Sequence, residues 1–190
     1  MTAADRGREV RRRLVQAARE LVPERGWAAV STRTLAERAG VAPGLVHYHF
    51  ASLQALLTEA AVGAVRDAVE DTAALLERAG TPGELVDLLL GEVDRYTGAD
   101  PASLLATETY LAATRDAGLR RELAGVLEGF QSRIAGWLHT HGVPEPEATA
   151  AVLAAALDGV LLHRTLAPPP PGALAPVLRR VVARNGGEGS

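Results

Sequence analysis

The five histidines are the side chains in this sequence that are best suited to hold a metal ion or carry a proton. His47 and His49 lie two positions apart, and so do His139 and His141. On a helix, residues two apart point to different sides, whereas a helical metal pair has its ligands four positions apart. No two histidines have that spacing, and the chain has no cysteine. The sequence therefore predicts neither a metal site nor a disulfide.

The patterns that accompany catalysis are missing as well. The chain has no glycine-rich phosphate loop and no nucleophile elbow, and Ser103 and Ser132 have no acid or base at a matching spacing. We therefore expect neither an enzyme nor a bound cofactor.

Two glutamates lie on helix faces that are otherwise apolar. Glu92 and Glu108 each share a stripe with leucines. A buried carboxylate is costly without a partner, so each is expected to meet either an internal arginine or a ligand. The candidate arginines are Arg115, Arg133 and Arg164. The ligand alternative predicts a cavity for a lipophilic effector with an amine or several hydroxyls, lined by Glu92, Tyr96, Glu108, Tyr110, Phe130, Trp137 and His163.

Positive charge is concentrated at the start of the chain. Residues 1–50 hold nine arginines against five acids, whereas residues 51–190 hold eleven arginines against eighteen acids. A basic segment on an acidic body suits contact with nucleic acid at one end. The run Arg11, Arg12 and Arg13 is interpreted either as phosphate contacts or as a solvated helix face, and Arg6 and Arg8 form a candidate minor-groove arm.

Helices are the elements that must position these residues. The 190 residues are 47% hydrophobic but only 4% aromatic, and apolar positions recur with a helical period throughout. No apolar run approaches the ~20 residues that span a bilayer, and no secretory signal is predicted, so the cytoplasm is the expected compartment. Caps and breakers predict an all-α fold of about nine helices, ending near Gly26, Ala39, Phe50, Gly80, Tyr96, Asp116, Gly142, Leu166 and Arg184.

The eighth predicted helix is apolar around most of its circumference and therefore must be buried on two sides. One side can face its own bundle. The other side needs either the same helix of a second copy or, in a monomer, the ninth helix as a cover.

The segment from Ser31 to Phe50 has the most specific pattern. Two short helices are joined by residues 39–42, where Gly40 supplies the left-handed conformation that a tight corner requires. A helix-turn-helix corner of this kind presents the start of its second helix to the major groove of DNA. We therefore predict a DNA-binding domain at residues 1–51, a helical ligand-binding and dimerisation domain at residues 52–184, and a disordered tail at residues 185–190.

Short motifs run in a fixed order through residues 14–57: LVQAA, ERGW, STRTLAERAGV and GLVHYHF, followed by Ser52, Leu56 and Leu57. In this region the chain resembles the TetR family of bacterial transcriptional regulators. The resemblance implies a repressor that binds a palindromic operator in double-stranded DNA and leaves it when a small-molecule effector binds. It also implies a homodimer formed through the helices at about 145–166 and 172–184.

The resemblance assigns DNA-contacting positions residue by residue. The guanidinium of Arg33 fits the two acceptors of guanine. Thr32, His47 and Tyr48 stand where family members contact phosphates, which set register rather than sequence preference. The predicted DNA-binding set is Ser31, Thr32, Arg33, Ala42, Pro43, Gly44, Leu45, His47, Tyr48 and His49.

Two positions depart from the family pattern. His47 replaces the usual tyrosine, and Leu53 stands where a lysine commonly faces a phosphate. The backbone N–H groups at that helix start could still bind the phosphate, with one charge contact fewer. The departure at Leu53 keeps an alternative open, namely a helical protein-interaction or small-molecule-sequestering module without operator binding.

Overall fold

The computed structural model describes residues 2–170 and 172–183, which form ten α-helices, one 3-10 turn at Trp27–Ala29 and no strand. The all-α fold class predicted from the sequence is confirmed. No helix in the described ranges is long and apolar enough to cross a membrane. Residues 184–190, which include the predicted tail, lie outside the described residues. The helices are α1 (Ala3–Arg25), α2 (Thr32–Ala39), α3 (Gly44–His49), α4 (Leu53–Asp71), α5 (Ala73–Arg78), α6 (Pro82–Val93), α7 (Pro101–Ala113), α8 (Ala117–Thr140), α9 (Pro146–His163) and α10 (Leu174–Val181).

Local capping determines where α1 and α2 begin and end. The Thr2 side chain accepts the N–H of Asp5, and the Asp5 carboxylate accepts the N–H of Thr2. Ser31 and Thr34 form the same reciprocal pair at the start of α2. Gly40 then ends α2 in the left-handed conformation, with φ 63° and ψ 43°. Each of these groups satisfies backbone atoms that a helix end leaves open.

The fourth predicted helix is interrupted, so the expectation of one helix to about Gly80 is wrong. α4 ends at Asp71 and α5 begins at Ala73. Between them, the Thr72 hydroxyl donates to the carbonyl of Val69 at 2.6 Å, and the Thr72 N–H bonds the same oxygen at 3.2 Å. A threonine that bonds back to the preceding turn competes with the regular ladder and bends the helix.

The chain divides into two compact units, which we call the first unit and the second unit. The first unit comprises the residues through Asp67 together with Leu104–Leu123; the second unit comprises Ala68–Ser103 and the residues from Ala124 onward. Each unit has its own hydrophobic core. Core residues of the first unit include Leu14, Leu21, Leu35, Val46 and Leu56, and those of the second include Leu85, Ile134, Leu138, Leu153 and Leu178. The sequence-based boundary at residue 52 stays a prediction.

In the second unit, α10 packs on α6 rather than covering α9 completely. Leu178 and Val182 are buried in the core, and the Arg179 guanidinium bonds both carboxylate oxygens of Asp87, at 2.7 and 2.6 Å. Val152 and Leu162 of α9 nevertheless remain 50% and 45% exposed. The apolar surface of α9 therefore extends beyond what the second unit itself covers.

Candidate nucleic-acid interface and ligand cavities

The short helix α3 exposes one face, because Val46 on its other face and Phe50 directly after the helix are both buried. Val46 is fully buried, and Phe50, one turn later, is 6% exposed. Residues four positions apart share a helix face, so the intervening positions point away from the core. Of the sequence-predicted contact residues, Ala42, Pro43, Gly44, His47 and Tyr48 are exposed, whereas Leu45 and His49 are half-buried.

The aromatic side chain of Tyr48 on this face is 79% exposed. Its ring meets the His49 imidazole edge-on, with the ring centroids 5.0 Å apart. An exposed aromatic ring of this size contributes little to the stability of a monomer, so the ring is available to contact another surface. Its hydroxyl can donate a hydrogen bond to a phosphate oxygen.

At the start of α2, Arg33 is exposed while Ser31 and Thr32 are half-buried. The Ser31 hydroxyl already accepts the Thr34 N–H, so the cap of α2 is its first role. The Arg33 Nε donates to a Glu37 carboxylate oxygen at 2.8 Å, one helical turn away. That hydrogen bond raises the pKa of Arg33 above its usual value, so the guanidinium stays charged. Such an exposed pair is weak and can exchange its partner.

The three consecutive arginines of α1 have three different partners. Arg11 donates to both oxygens of Glu59 and lies 4.8 Å above the centre of the Phe50 ring. Arg12 pairs with Glu9 on the same helix. Arg13 donates to the carbonyls of Ala39 and Gly40. Arg11 and Arg13 also hold α4 and the helix-turn-helix corner against α1, a role that the sequence did not indicate. Phosphate contact by this run stays a prediction.

The unusual leucine at the start of α4 belongs partly to the core. Leu53 is half-buried and packs against the hydrophobic cluster of the first unit. Ser52 accepts the N–H of Ala55 at 3.0 Å and so caps this helix. Leu53 contributes packing where a lysine would contribute charge.

Glu108, a predicted ligand residue, lines a cavity of about 460 Å³ in the first unit. One carboxylate oxygen accepts the backbone N–H of Trp27 at 2.8 Å. None of the three expected arginines is its partner, although Arg115 lines the same cavity. Apart from Glu108, none of the residues that line this cavity was predicted as a site residue, and these include Trp27, Gln54 and Asp116. They come from separate stretches of chain, and no spacing in the sequence connects them.

Glu92 and Tyr96 lie in the second unit. The Glu92 carboxylate accepts a hydrogen bond at 2.8 Å from Arg95, which lies just after the end of α6. The expected partners were Arg133 or Arg164. Arg164 instead pairs with Asp94 at 2.8 Å. Burial, followed by the nearby Glu92 carboxylate, raises the pKa of the Tyr96 phenol, which therefore remains a neutral hydrogen-bond donor.

The remaining predicted ligand residues have diverse surroundings. Phe130 is 9% exposed in the core of the second unit, and Trp137 stacks on His141 with ring centroids 3.6 Å apart. Tyr110 is half-buried, and His163 is exposed at the end of α9. A second cavity, of about 440 Å³, lies in the second unit between α6, the end of α9, the prolines at 168–170 and the start of α10, and none of the predicted ligand residues lines it. Across the described ranges, no three His, Asp or Glu side chains are grouped to hold a metal ion.

Two family models match the chain and cover both the helix-turn-helix corner and the later helices. The model described as "Bacterial regulatory proteins, tetR family" matches residues 14–60, and the model described as "Tetracyclin repressor-like, C-terminal domain" matches residues 80–184. The chain belongs to the tetR family of bacterial regulatory proteins. Its predicted role as a DNA-binding transcriptional regulator is thereby confirmed.

Individual relatives of this TetR-family regulator agree with that assignment. It is 33% identical to the HTH-type transcriptional regulator BetI of Agrobacterium fabrum over 173 residues, which cover 88% of this chain and 83% of BetI. It is 30% identical to a solved transcriptional regulator from Streptomyces coelicolor, with a TM-score of 0.75 and coverage of 92% and 99% of the two chains. It is 33% identical to the multidrug binding protein EbrR, solved in complex with imidazole, with a TM-score of 0.67 and coverage of 91% and 94%. These relatives are regulators and binding proteins rather than enzymes.

Proposed function

We propose that this regulator is a repressor that binds a palindromic operator as a homodimer and is released by a small-molecule effector. The observation that supports it most is the exposed surface of α3 together with the start of α2. There the polar and aromatic side chains of Arg33, His47 and Tyr48 are open to solvent on a corner that their own unit holds in place. We propose that it acts in the cytoplasm, where its DNA target lies.

The proposed contacts are of two kinds: some recognise bases, and the others position the protein on the DNA backbone. Arg33 reads a guanine through its N7 and O6 acceptors after leaving Glu37. Pro43, Gly44 and Leu45 have no polar side chain, so they contribute close approach and contact with a thymine methyl. Phosphate contacts come from Thr32, His47 and Tyr48, with Ser31, Ala42 and His49 at the margin of the surface.

The proposed homodimer uses the apolar faces that the second unit leaves exposed. Along α9, Val152, Ala155, Gly159 and Leu162 recur at alternating spacings of three and four, which places them on one face. Val177 and Val181 of α10, one turn apart, are 47% and 37% exposed. Joining two copies here would bury both faces. It would also bring together two helix-turn-helix domains, as a two-fold symmetric operator requires.

The proposed effector is a small organic molecule. The EbrR structure with bound imidazole supports a ligand-binding role for a protein with this sequence similarity. Within the second unit, Glu92, Tyr96, Phe130, Trp137 and His163 remain the candidate lining; within the first unit, Glu108 and Tyr110 remain candidates. An effector releases DNA if it binds preferentially to a dimer conformation in which the distance between the two helix-turn-helix domains does not fit the operator.

The function is tested by titrating the full-length protein into a fluorescently labelled duplex that carries the DNA flanking its own gene. We expect saturable binding in fluorescence anisotropy that an unlabelled copy of the fragment displaces and that unrelated DNA of equal length displaces poorly. Equal displacement by both competitors, or no binding at all, would support the alternative of an interaction or sequestering module without operator binding.

A further inference from the structure

The cavity beside Trp27 lies entirely within the first unit, the part of the chain that contains the helix-turn-helix corner. Its walls come from the end of α1, the 3-10 turn, the first turn of α4 and the second half of α7. Its volume of about 460 Å³ is within the range of small-molecule sites. The walls carry small side chains at Ala28, Ala29 and Ala112, which is why space remains between the elements.

Glu108 is the polar group of this cavity that can still accept hydrogen bonds. One oxygen accepts the Trp27 N–H at 2.8 Å, and within the described ranges the other oxygen accepts no hydrogen bond and meets no arginine at ion-pair distance. The carboxylate is half-buried, so water satisfies it less well than it satisfies an exposed one. A half-buried anion without a cation favours a cationic partner.

The other polar groups of the cavity are already engaged or lie in water. The Gln54 amide accepts the Trp27 indole N–H at 3.4 Å and donates to Asp116 at 2.9 Å. The second oxygen of Asp116 accepts the Leu119 N–H at 2.9 Å. Arg25 and Arg115 also line the cavity, but both are exposed, so water screens their charges more strongly than it screens Glu108.

The apolar part of the cavity complements a ligand with a hydrophobic body. Leu111 is 50% exposed and lies one turn from Glu108 on α7. A ligand that places its ammonium at Glu108 can therefore lay an apolar chain or ring over Leu111 and the alanines. Removing that apolar surface from water favours binding.

We propose that this cavity is a binding site for an amphiphilic ammonium compound, with Glu108 as its anionic anchor and Leu111 and Ala112 as its apolar wall. The site deepens the proposed effector function and rests on it, because it assigns a ligand class and an anchoring residue to the first unit, which contains the helix-turn-helix corner. Its test uses no DNA, so its outcome is independent of operator binding.

The probe is 4-phenylbutylamine, compared with the uncharged 4-phenylbutanol by isothermal titration calorimetry on the full chain. We expect one molecule of the amine to bind per chain and the alcohol to bind at least tenfold more weakly. Glu108→Gln should weaken amine binding at least tenfold, whereas Glu122→Gln, an exposed acid of the same unit, should leave it unchanged. Ala112→Leu fills the apolar wall without altering the carboxylate and should weaken both compounds.

Circular dichroism spectra and melting curves show whether each variant is folded, and Ala112→Leu provides the test if Glu108→Gln does not fold. Equal affinity of wild type, Glu108→Gln and Ala112→Leu for the amine would overturn the proposal, as would the absence of amine binding to the wild type. A loss of binding in Glu92→Gln but not in Glu108→Gln would also overturn it, by placing the ligand in the second unit.

Discussion

The Arg13 guanidinium donates a 3.0 Å hydrogen bond to the carbonyl oxygen of Gly40, the residue that ends α2 in the left-handed conformation. The same nitrogen also donates to the carbonyl of Ala39. A cation at the end of a helix satisfies carbonyls that the helix leaves open and interacts favourably with its dipole. Arg13 thereby fixes the corner that orients α3.

Removing this link should destabilise the fold. We expect Arg13→Ala to lower the free energy of unfolding by about 1–2 kcal/mol, because two carbonyls lose a charged donor. Urea unfolding followed by circular dichroism measures the change. The matched control is Arg12→Ala. Its side chain pairs with Glu9 on the exposed face of α1, so this substitution should have little effect. Equal losses in the two variants would show that the corner does not depend on Arg13.

We expect Arg33 to determine the sequence preference, and we expect Glu37 to compete with DNA for the Arg33 guanidinium. We expect Arg33→Ala to weaken binding to the preferred DNA about tenfold and to relax the preference for guanine, because a bidentate contact is lost. Glu37→Gln should strengthen binding about two- to threefold, since the guanidinium no longer has to leave an acid 2.8 Å away.

Anisotropy titrations of the two single variants and the double variant separate a paired effect from a general one. If Glu37 acts through Arg33, its substitution gains nothing in the Arg33→Ala background. A similar gain in both backgrounds would show that Glu37 only repels phosphates. Tyr48→Phe is the comparison for positioning contacts and should weaken all sequences evenly.

The exposed apolar face of α9 should carry the homodimer. We expect Leu162→Glu to convert the protein to a monomer at micromolar concentration, because a charge would be buried at the contact between copies. Sedimentation velocity measures the mass. Leu104→Glu, at a leucine that is 38% exposed in the first unit, is the control and should remain dimeric. A wild type that sediments only as a monomer would contradict the dimer itself.

Asp100 should make stability depend on acid pH. Its carboxylate is partly desolvated, which raises its pKa, but hydrogen bonds from Ser103 and Thr97 outweigh this and lower the pKa from 3.8 to about 2. Because the folded pKa lies below the unfolded one, the stabilisation is present above about pH 4 and is lost as the pH falls toward 2.

The matching variant is Asp100→Asn. We expect it to lose about 1 kcal/mol of unfolding free energy at pH 7, less than the full shift implies because water screens the group. The difference from wild type should shrink by about half at pH 3. Urea titrations at the two pH values measure it, with Glu128→Gln as an exposed control. A difference that stays constant with pH would rule out the ionised carboxylate as its source.

The ends of α2 were predictable from the sequence because neighbouring residues determine them. Ser31 and Gly40 mark the ends of α2 through their own hydrogen bonds and backbone angles, and the structure places both as expected. The break at Thr72 was missed because threonine is tolerated inside helices, and its hydroxyl bends the chain only when it bonds back to Val69.

The candidate site was only partly predictable, since long side chains choose partners across the fold. The sequence could not show that Arg13 reaches the corner 27 positions later. It predicted that Glu92 and Glu108 line one cavity, and this stays a prediction. Their helix stripes could not show their hydrogen-bond partners, which are Arg95 for Glu92 and the Trp27 N–H for Glu108. Helical period identifies a face, but the partner of that face depends on the tertiary packing.

Selection of bound sequences from random duplex DNA, using the purified full-length protein, tests the central claim most directly. We expect an enriched inverted repeat whose half-sites lie about one helical turn apart, centre to centre, and contain a guanine whose enrichment disappears in Arg33→Ala. Failure to enrich any sequence, or enrichment of a single half-site without symmetry, would contradict a dimeric operator-binding regulator.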